Sequence, residues 1–274
     1  MKKKKKRSNI RRVGWIGICI IIFMFSAQYL FNDKKDTDKE ESVSRSRKSK
    51  VSSFKKMAIV IDDIGYNQWA VDRILHLDVP ITLSVIPYSP YSEEAARKSR
   101  QAGKEVILHI PMEPHGYPEK NPGQGALFLH MSKPEIEDAI QNAIDSIPFV
   151  TGANNHMGSR FMECEEKLAV VFSELKKRGM YFLDSCTTPE SKAKIVASAV
   201  GVPCGVRDVF IDNNQERKET VRIIRNLIKE RNGWETIIAI GHPYDSTLAA
   251  VEEVIPDLRT HGIKIVALSE IIKN

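Results

Sequence analysis

Two adjacent carboxylates close an apolar run at Ala58-Ile59-Val60-Ile61-Asp62-Asp63-Ile64-Gly65. Four apolar, mostly β-branched residues leading straight into acids read as a buried parallel strand that delivers chemistry at its C-terminal end. Carboxylates this close resist double ionisation, and a metal cation or a shared proton is the usual resolution. The competing reading is a turn opening, since Asp and Gly favour tight turns. Later apolar runs end in the same kind of residue: His109 closes one, Asn154-Asn155-His156 follows another, and Asp184, Asp212 and His242 close three more. Carboxylates and imidazoles together suit a divalent transition metal such as zinc with an open position for water. Singly, each has a plainer reading. His109 and His242 fit buried hydrogen-bonding histidines, His156 a turn cap beside Gly158, and Asp184 and Asp212 caps of following helices. His76, His115, His130 and His261 fall at helix ends or in a long loop and read as structural or solvated.

Residues so far apart can meet only if the chain returns them to one place. From residue 57 onward, short β-branched runs at 57–61, 81–85, 105–109, 149–153, 180–183, 205–210, 236–240 and 263–267 alternate with helical stretches. That alternation marks βα units and a parallel sheet. Ser132-Lys133-Pro134-Glu135 combines a capping-box spacing with a proline in the first turn, and opens a helix carrying Ile136, Ile140 and Ile144. Helices over 91–102, 163–178 and 247–261 stop at Gly103, Gly179 and Gly262, and one over 221–231 is followed by Gly233. So many units suit an α/β fold of the distorted (β/α) barrel kind with seven to eight mainly parallel strands; an open doubly wound sheet is the alternative. In a barrel, the C-terminal ends of the strands converge on one face, and the long Pro- and Gly-containing segment 111–131 would lie over it. Tyr66, Tyr88, Tyr117 and Tyr244 offer aromatic faces to a ligand, whereas the helical spacing of Trp69 reads as core.

Composition divides the chain near residue 56. Residues 1–12 carry eight Lys or Arg and no acid, and residues 13–31 form an uncharged, mostly apolar run. As a helix that run is about 28 Å long, enough to cross a bilayer core of about 30 Å. Its basic flank predicts a cytoplasmic N-terminus and export of everything beyond. We read an uncleaved signal anchor, with secretion after signal cleavage as the alternative, because the end of the run lacks a small-x-small cleavage pattern. Residues 32–56 are polar and nearly free of aliphatics, a flexible linker. The basic charge belongs to this N-terminal part: residues 57–274 hold 24 basic and 30 acidic side chains, which argues against nucleic acid as a partner. Cys164, Cys186 and Cys204 show no Cys-x-x-Cys spacing; a Cys186–Cys204 bridge and three buried thiols are both compatible with them.

The motifs Ile61-Asp62-Asp63-Ile64-Gly65, Leu108-His109-Ile110-Pro111-Met112-Glu113-Pro114, Asn154-Asn155-His156-Met157-Gly158-Ser159, Leu183-Asp184-Ser185 and Gly241-His242-Pro243-Tyr244 resemble, in this order, the divergent polysaccharide deacetylase family. That family is an offshoot of the carbohydrate esterases that remove acetyl groups from chitin-like polymers and peptidoglycan. The resemblance implies Asp62 as catalytic base, Asp63 and His109 as metal ligands and His242 as general acid. The parent superfamily has a second histidine four residues after the first; here that position is Glu113. Either Glu113 binds the metal or His156 takes the place, and we prefer His156 because it leaves the ligand set unchanged. The parent's Arg-containing motif on the fourth strand is replaced by Asn154 to Arg160. Asp184 is expected to orient a histidine or a substrate hydroxyl, and Asn155, Arg160 and Tyr244 are further candidates to contact substrate.

Two functions follow. One is an exported, membrane-anchored, metal-dependent hydrolase that deacetylates an amino-sugar polymer of the cell envelope, with zinc as the expected metal. The other is a degraded site on the same barrel that binds a glycan or partner without turning it over.

Overall fold

The computed structural model describes residues 55–273. The basic segment, the apolar run and the linker expected at 1–56 lie almost wholly outside the described residues, and no helix among those described is long and apolar enough to cross a membrane. Strands and helices alternate: β1 (Lys55–Ile64), α1 (Gln68–Leu75), β2 (Thr82–Val85), α2 (Ser92–Gln101), β3 (Glu105–Met112), α3 (Lys133–Ser146), β4 (Gly152–Met157), α4 (Glu165–Lys177), β5 (Tyr181–Asp184) and α5 (Ala193–Val200). They are followed by β6 (Cys204–Val206), β7 (Val209–Phe210), α6 (Arg217–Lys229), β8 (Thr236–Gly241), α7 (Asp245–Thr260), β9 (Ile263–Val266) and the short α8 (Ser269–Ile272). The α3 start is built as its sequence dictates, with the Ser132 backbone N–H donating to Glu135 Oε2 at 2.6 Å.

All strand pairings are parallel, in the order β6-β5-β4-β3-β2-β1-β8-β7. The two end strands are consecutive in the chain, separated only by Arg207 and Asp208. Arg207 N–H donates to Asp184 O and Asp208 N–H to Ile238 O, each at 2.9 Å, so neighbouring residues reach strands from opposite ends of the sheet. The sheet therefore curls into a barrel joined by one irregular segment, the run expected as a single strand at 205–210. Behind it, β9 pairs with Lys55–Ala58 of β1, while β2 pairs with the same strand from Val60 onward.

Side chains along each strand alternate between two apolar layers. Met57, Ile59 and Ile61 of β1 join Val106 and Leu108 of β3 and Phe182 of β5 in a core shared with the helices. Ala58, Val60, Ile107, Tyr181, Leu183, Ile238 and Ile240 fill the barrel interior. Continuing that parity, the inward positions near the C-terminal ends are Asp62, Ser84, His109, Asn154 and His156. Asp184 has the parity of Phe182 and belongs to the other face.

One strand differs from its sequence reading. The apolar stretch at 149–153 leads into β4 rather than forming it: Phe149 is exposed at φ 68°, and β4 runs on through the polar Asn154, Asn155 and His156. Polar groups tolerate that interior because each finds partners there. Cys164, Cys186 and Cys204 are all free thiols.

Candidate metal centre

Strand alternation should send Asp62 and Asp63 to opposite faces. The β1–β2 register shifts between Ile61 and Ile64, and Asp63 sits at φ 55°. This bulge in the left-handed region, which Asp enters more readily than most residues at a cost of about 1–2 kcal/mol, turns the second carboxylate back over the strand end. Both acids then face the barrel mouth.

Asp63 Oδ1 lies 3.1 Å from His109 Nε2 and 2.9 Å from His156 Nδ1, and the two ring nitrogens are 3.2 Å apart. His109 faces the site because it is in register with Asn154 on β4, and His156 lies two residues further along the same face. These three residues form a group able to hold a metal ion. Asp63 Oδ1 is buried and accepts no well-directed hydrogen bond despite its two close nitrogens. An orphaned carboxylate oxygen facing two imidazoles is what a ligand set looks like, and corners of a tetrahedron with bonds of about 2.0–2.2 Å are about 3.3–3.6 Å apart, a few tenths of an ångström wider than the separations here. The residues fit the group. Burial alone would raise the Asp63 pKa, but the close approach and charge of His109 and His156 outweigh it and hold the carboxyl well below its ordinary range. Burial pushes His109 down, and the nearby charges of Asp62 and Asp63 together with its bond to Asn154 overcome this and raise it.

Asp62 is not part of this triangle. Its Oδ2 stands 3.7 Å from His109 Nε2, and its Oδ1 accepts from Asn154 Nδ2 at 2.8 Å. Across the mouth, His242 Nδ1 lies 3.0 Å from Asp212 Oδ1, while Asp212 Oδ2 accepts from the His242 backbone N–H at 2.6 Å and the Thr247 hydroxyl at 2.9 Å. Burial opposes the charged imidazole, yet Asp212, with Asp62 and Asp63 beyond it, lifts His242 to about 9. Phe210 stacks on one side of the ring and Tyr244 tilts against it, both with centroids at 5.8 Å. Arg207 lies over the Phe210 ring at 3.8 Å, continuing the column.

Other candidates are placed elsewhere. Glu113 spends both carboxylate oxygens away from the triangle, accepting from Arg160 Nη1 at 2.8 Å and the Leu129 backbone N–H at 2.7 Å. With the Glu113 N–H donating to Leu127 O, the pair clips the long loop back onto the end of β3. Asn155 is likewise a loop tether, donating from Nδ2 to Met157 O at 2.8 Å and accepting from Ser185 N–H at 2.9 Å. Asp184 closes its own turn by accepting from the Cys186 N–H, and its parity takes it away from the histidines, so of its two expected roles the one toward a histidine is not met. The carboxylate that orients a histidine is Asp212, which an apolar run ending in Asp already pointed to. Asn154 is the other residue the sequence reading left without a role. Trp69 is not core but 45% exposed, with the Arg73 guanidinium over its ring at 5.6 Å. His115 pairs with Glu163 at 3.0 Å on the outer loops.

A curled parallel sheet with an Asp-His-His group and a further buried Asp at its C-terminal strand ends defines a barrel of the polysaccharide-deacetylase type. Residues 59–272 match the family described as divergent polysaccharide deacetylase, and the chain belongs to that family. Among its relatives, the uncharacterized protein YibQ of Escherichia coli K12 is 36% identical over 208 residues, 74% of this chain and 63% of the relative, so the match spans less than two thirds of that protein. A crystal structure of an uncharacterized protein from Agrobacterium tumefaciens C58 is similar with a TM-score of 0.74 at 28% identity, covering 80% of this chain and 89% of the other. The fold is shared with a mutant of a CE4 family pseudoenzyme from Bacillus anthracis with restored enzymatic activity, at a TM-score of 0.50 and 17% identity, covering 80% and 67% of the two chains.

Proposed function

We propose that this chain is an exported, membrane-anchored, metal-dependent hydrolase that removes acetyl groups from an amino-sugar polymer of the cell envelope. The observation that carries the reading is the separation of roles at the barrel mouth: three ligand atoms meet in one triangle, while a buried carboxylate and an imidazole paired with Asp212 flank it without joining it. Asp63, His109 and His156 would hold the ion, zinc being the first choice for this donor set. Such an ion lowers the pKa of water and polarises an amide carbonyl.

The chain's own groups supply the proton traffic. Asp62, held by Asn154, accepts a proton from the attacking water. His242 is protonated at neutral pH and gives its proton to the departing amine, so that the C–N bond breaks to leave acetate and a free amino sugar. Asp212 supports that charge, and Tyr244 and Arg160 stand exposed at the rim where a polymer would pass. The apolar run at 13–31 supports the anchor and its basic flank the orientation.

The test is elemental analysis of full-length protein prepared without chelator, followed by acetate release from acetylated glycans. About one equivalent of metal, lost in Asp63→Ala and His156→Ala but kept in Glu113→Ala, is the expected result for a three-ligand site. Metal-free protein that stays so after zinc is supplied would overturn the hydrolase and leave the second reading, a glycan- or partner-binding module, which the replaced fourth-strand motif favours.

A further inference from the structure

The fourth strand supplies a single, completely buried amide between the two halves of the site. Asn154 Oδ1 lies 2.7 Å from His109 Nδ1 and accepts from the Ser84 hydroxyl at 2.6 Å. Its Nδ2 donates to Asp62 Oδ1 at 2.8 Å and to the Ser185 hydroxyl at 3.3 Å. An asparagine amide offers two acceptor sites and two N–H donors, so every one of its hydrogen bonds is made. The amide cannot be turned round without cost. A carboxylate oxygen accepts, so nitrogen faces Asp62; oxygen then faces His109, whose Nδ1 must carry the ring proton. Nε2, the atom that meets Asp63 and His156, is therefore the nitrogen that gives up its proton when a cation binds.

We propose that Asn154 is the positioning residue that couples the two halves of this site. Through its oxygen it fixes the His109 tautomer with Nε2 free to bind a cation; through its nitrogen it holds Asp62 as an acceptor outside the ligand set. Ser84 and Ser185, from β2 and the turn after β5, hold the amide plane so that neither bond can be gained by giving up the other. The Asp62 half rests on the hydrolase reading; the tautomer half does not.

The experiment uses full-length protein with ¹⁵N-labelled histidine and reads ring-nitrogen spectra alongside zinc affinity by chelator competition. Metal-free wild type, titrated to the neutral ring, should show His109 protonated at Nδ1. Asn154→Leu, which offers no acceptor, should weaken zinc binding about 10- to 100-fold, the usual effect of losing the partner that orients a ligating histidine. Asn154→Asp keeps an acceptor for Nδ1–H but sets a second carboxylate against Asp62, where the pair shares a proton and Asp62 is no longer a free acceptor. It should restore zinc affinity to within about threefold of wild type while acetate release stays at the level of Asn154→Leu. That split separates positioning from general loss of structure. A neutral His109 ring with its single proton at Nε2, undiminished zinc affinity in Asn154→Leu, or no rescue by Asn154→Asp would overturn the proposal. If wild type binds no zinc, the hydrolase reading falls instead, and the ring spectra still decide the tautomer.

Discussion

Replacing Asp212 by asparagine isolates what holds the charge on His242. The carboxylate is buried, accepts from the His242 backbone N–H and the Thr247 hydroxyl through one oxygen, and faces His242 Nδ1 with the other. In Asp212→Asn the two backbone-side donors keep the amide oxygen where Oδ2 was, which turns the NH2 group toward Nδ1. A donor now faces the nitrogen that carried a proton, and burial, which already opposes the charged ring, is left without its main counterweight. The pKa should fall from about 9 to its ordinary 6.5 or below. A shift of that size corresponds to about 3 kcal/mol, and partial exposure of the ring brings the stability share to about 2–3 kcal/mol. The folded pKa is raised, so this stability is fully present below the ordinary pKa and is lost as pH rises through about 9. Wild type should therefore lose that advantage over Asp212→Asn between those two pH values, read as converging urea midpoints. With His242 as proton donor, acetate release by Asp212→Asn should be about thirtyfold below wild type at pH 8 and converge with it under acidic conditions. A His242 ring resonance that still titrates near its wild-type pH in the variant would refute the reasoning.

Three further outcomes follow from particular contacts. Arg160→Ala leaves the Glu113 carboxylate, 4% exposed, without its cationic partner; it should cost about 1–3 kcal/mol in urea unfolding and speed proteolysis within 113–131, while zinc affinity stays unchanged. Gly152→Ala would place a methyl 2.5–2.7 Å from three atoms of the Tyr181 ring inside the barrel, and a rigid ring cannot yield cheaply; a loss of about 1–3 kcal/mol is expected, and an unchanged melting temperature would contradict it. If residues 13–31 anchor the chain, full-length protein should sediment with membranes and resist carbonate extraction; a mature form beginning near residue 28 would decide for signal cleavage.

What the sequence made legible was the set of strand ends, because burial on both faces writes parallel strands as apolar runs and the first polar residue after each run marks the barrel mouth. Asp62, His109 and His242 stand out that way. Direction did not follow so easily. Asp63 reaches the mouth only through a bulge and a left-handed φ, which no period of two announces. Asp184 ends an apolar run as cleanly as Asp62 does, yet one step of parity sends it to the other face, where it closes a turn. Strand β4 was displaced because its inward face is polar: Asn154 and His156 are there to meet His109 and Asp62, and a chain that buries an amide among four partners loses the apolar pattern by which strands are found. The positions where periodicity failed are thus the ones that assemble the site. A residue such as Asn154, silent in a list of metal ligands and proton carriers, becomes visible only when the groups on both its sides have been placed.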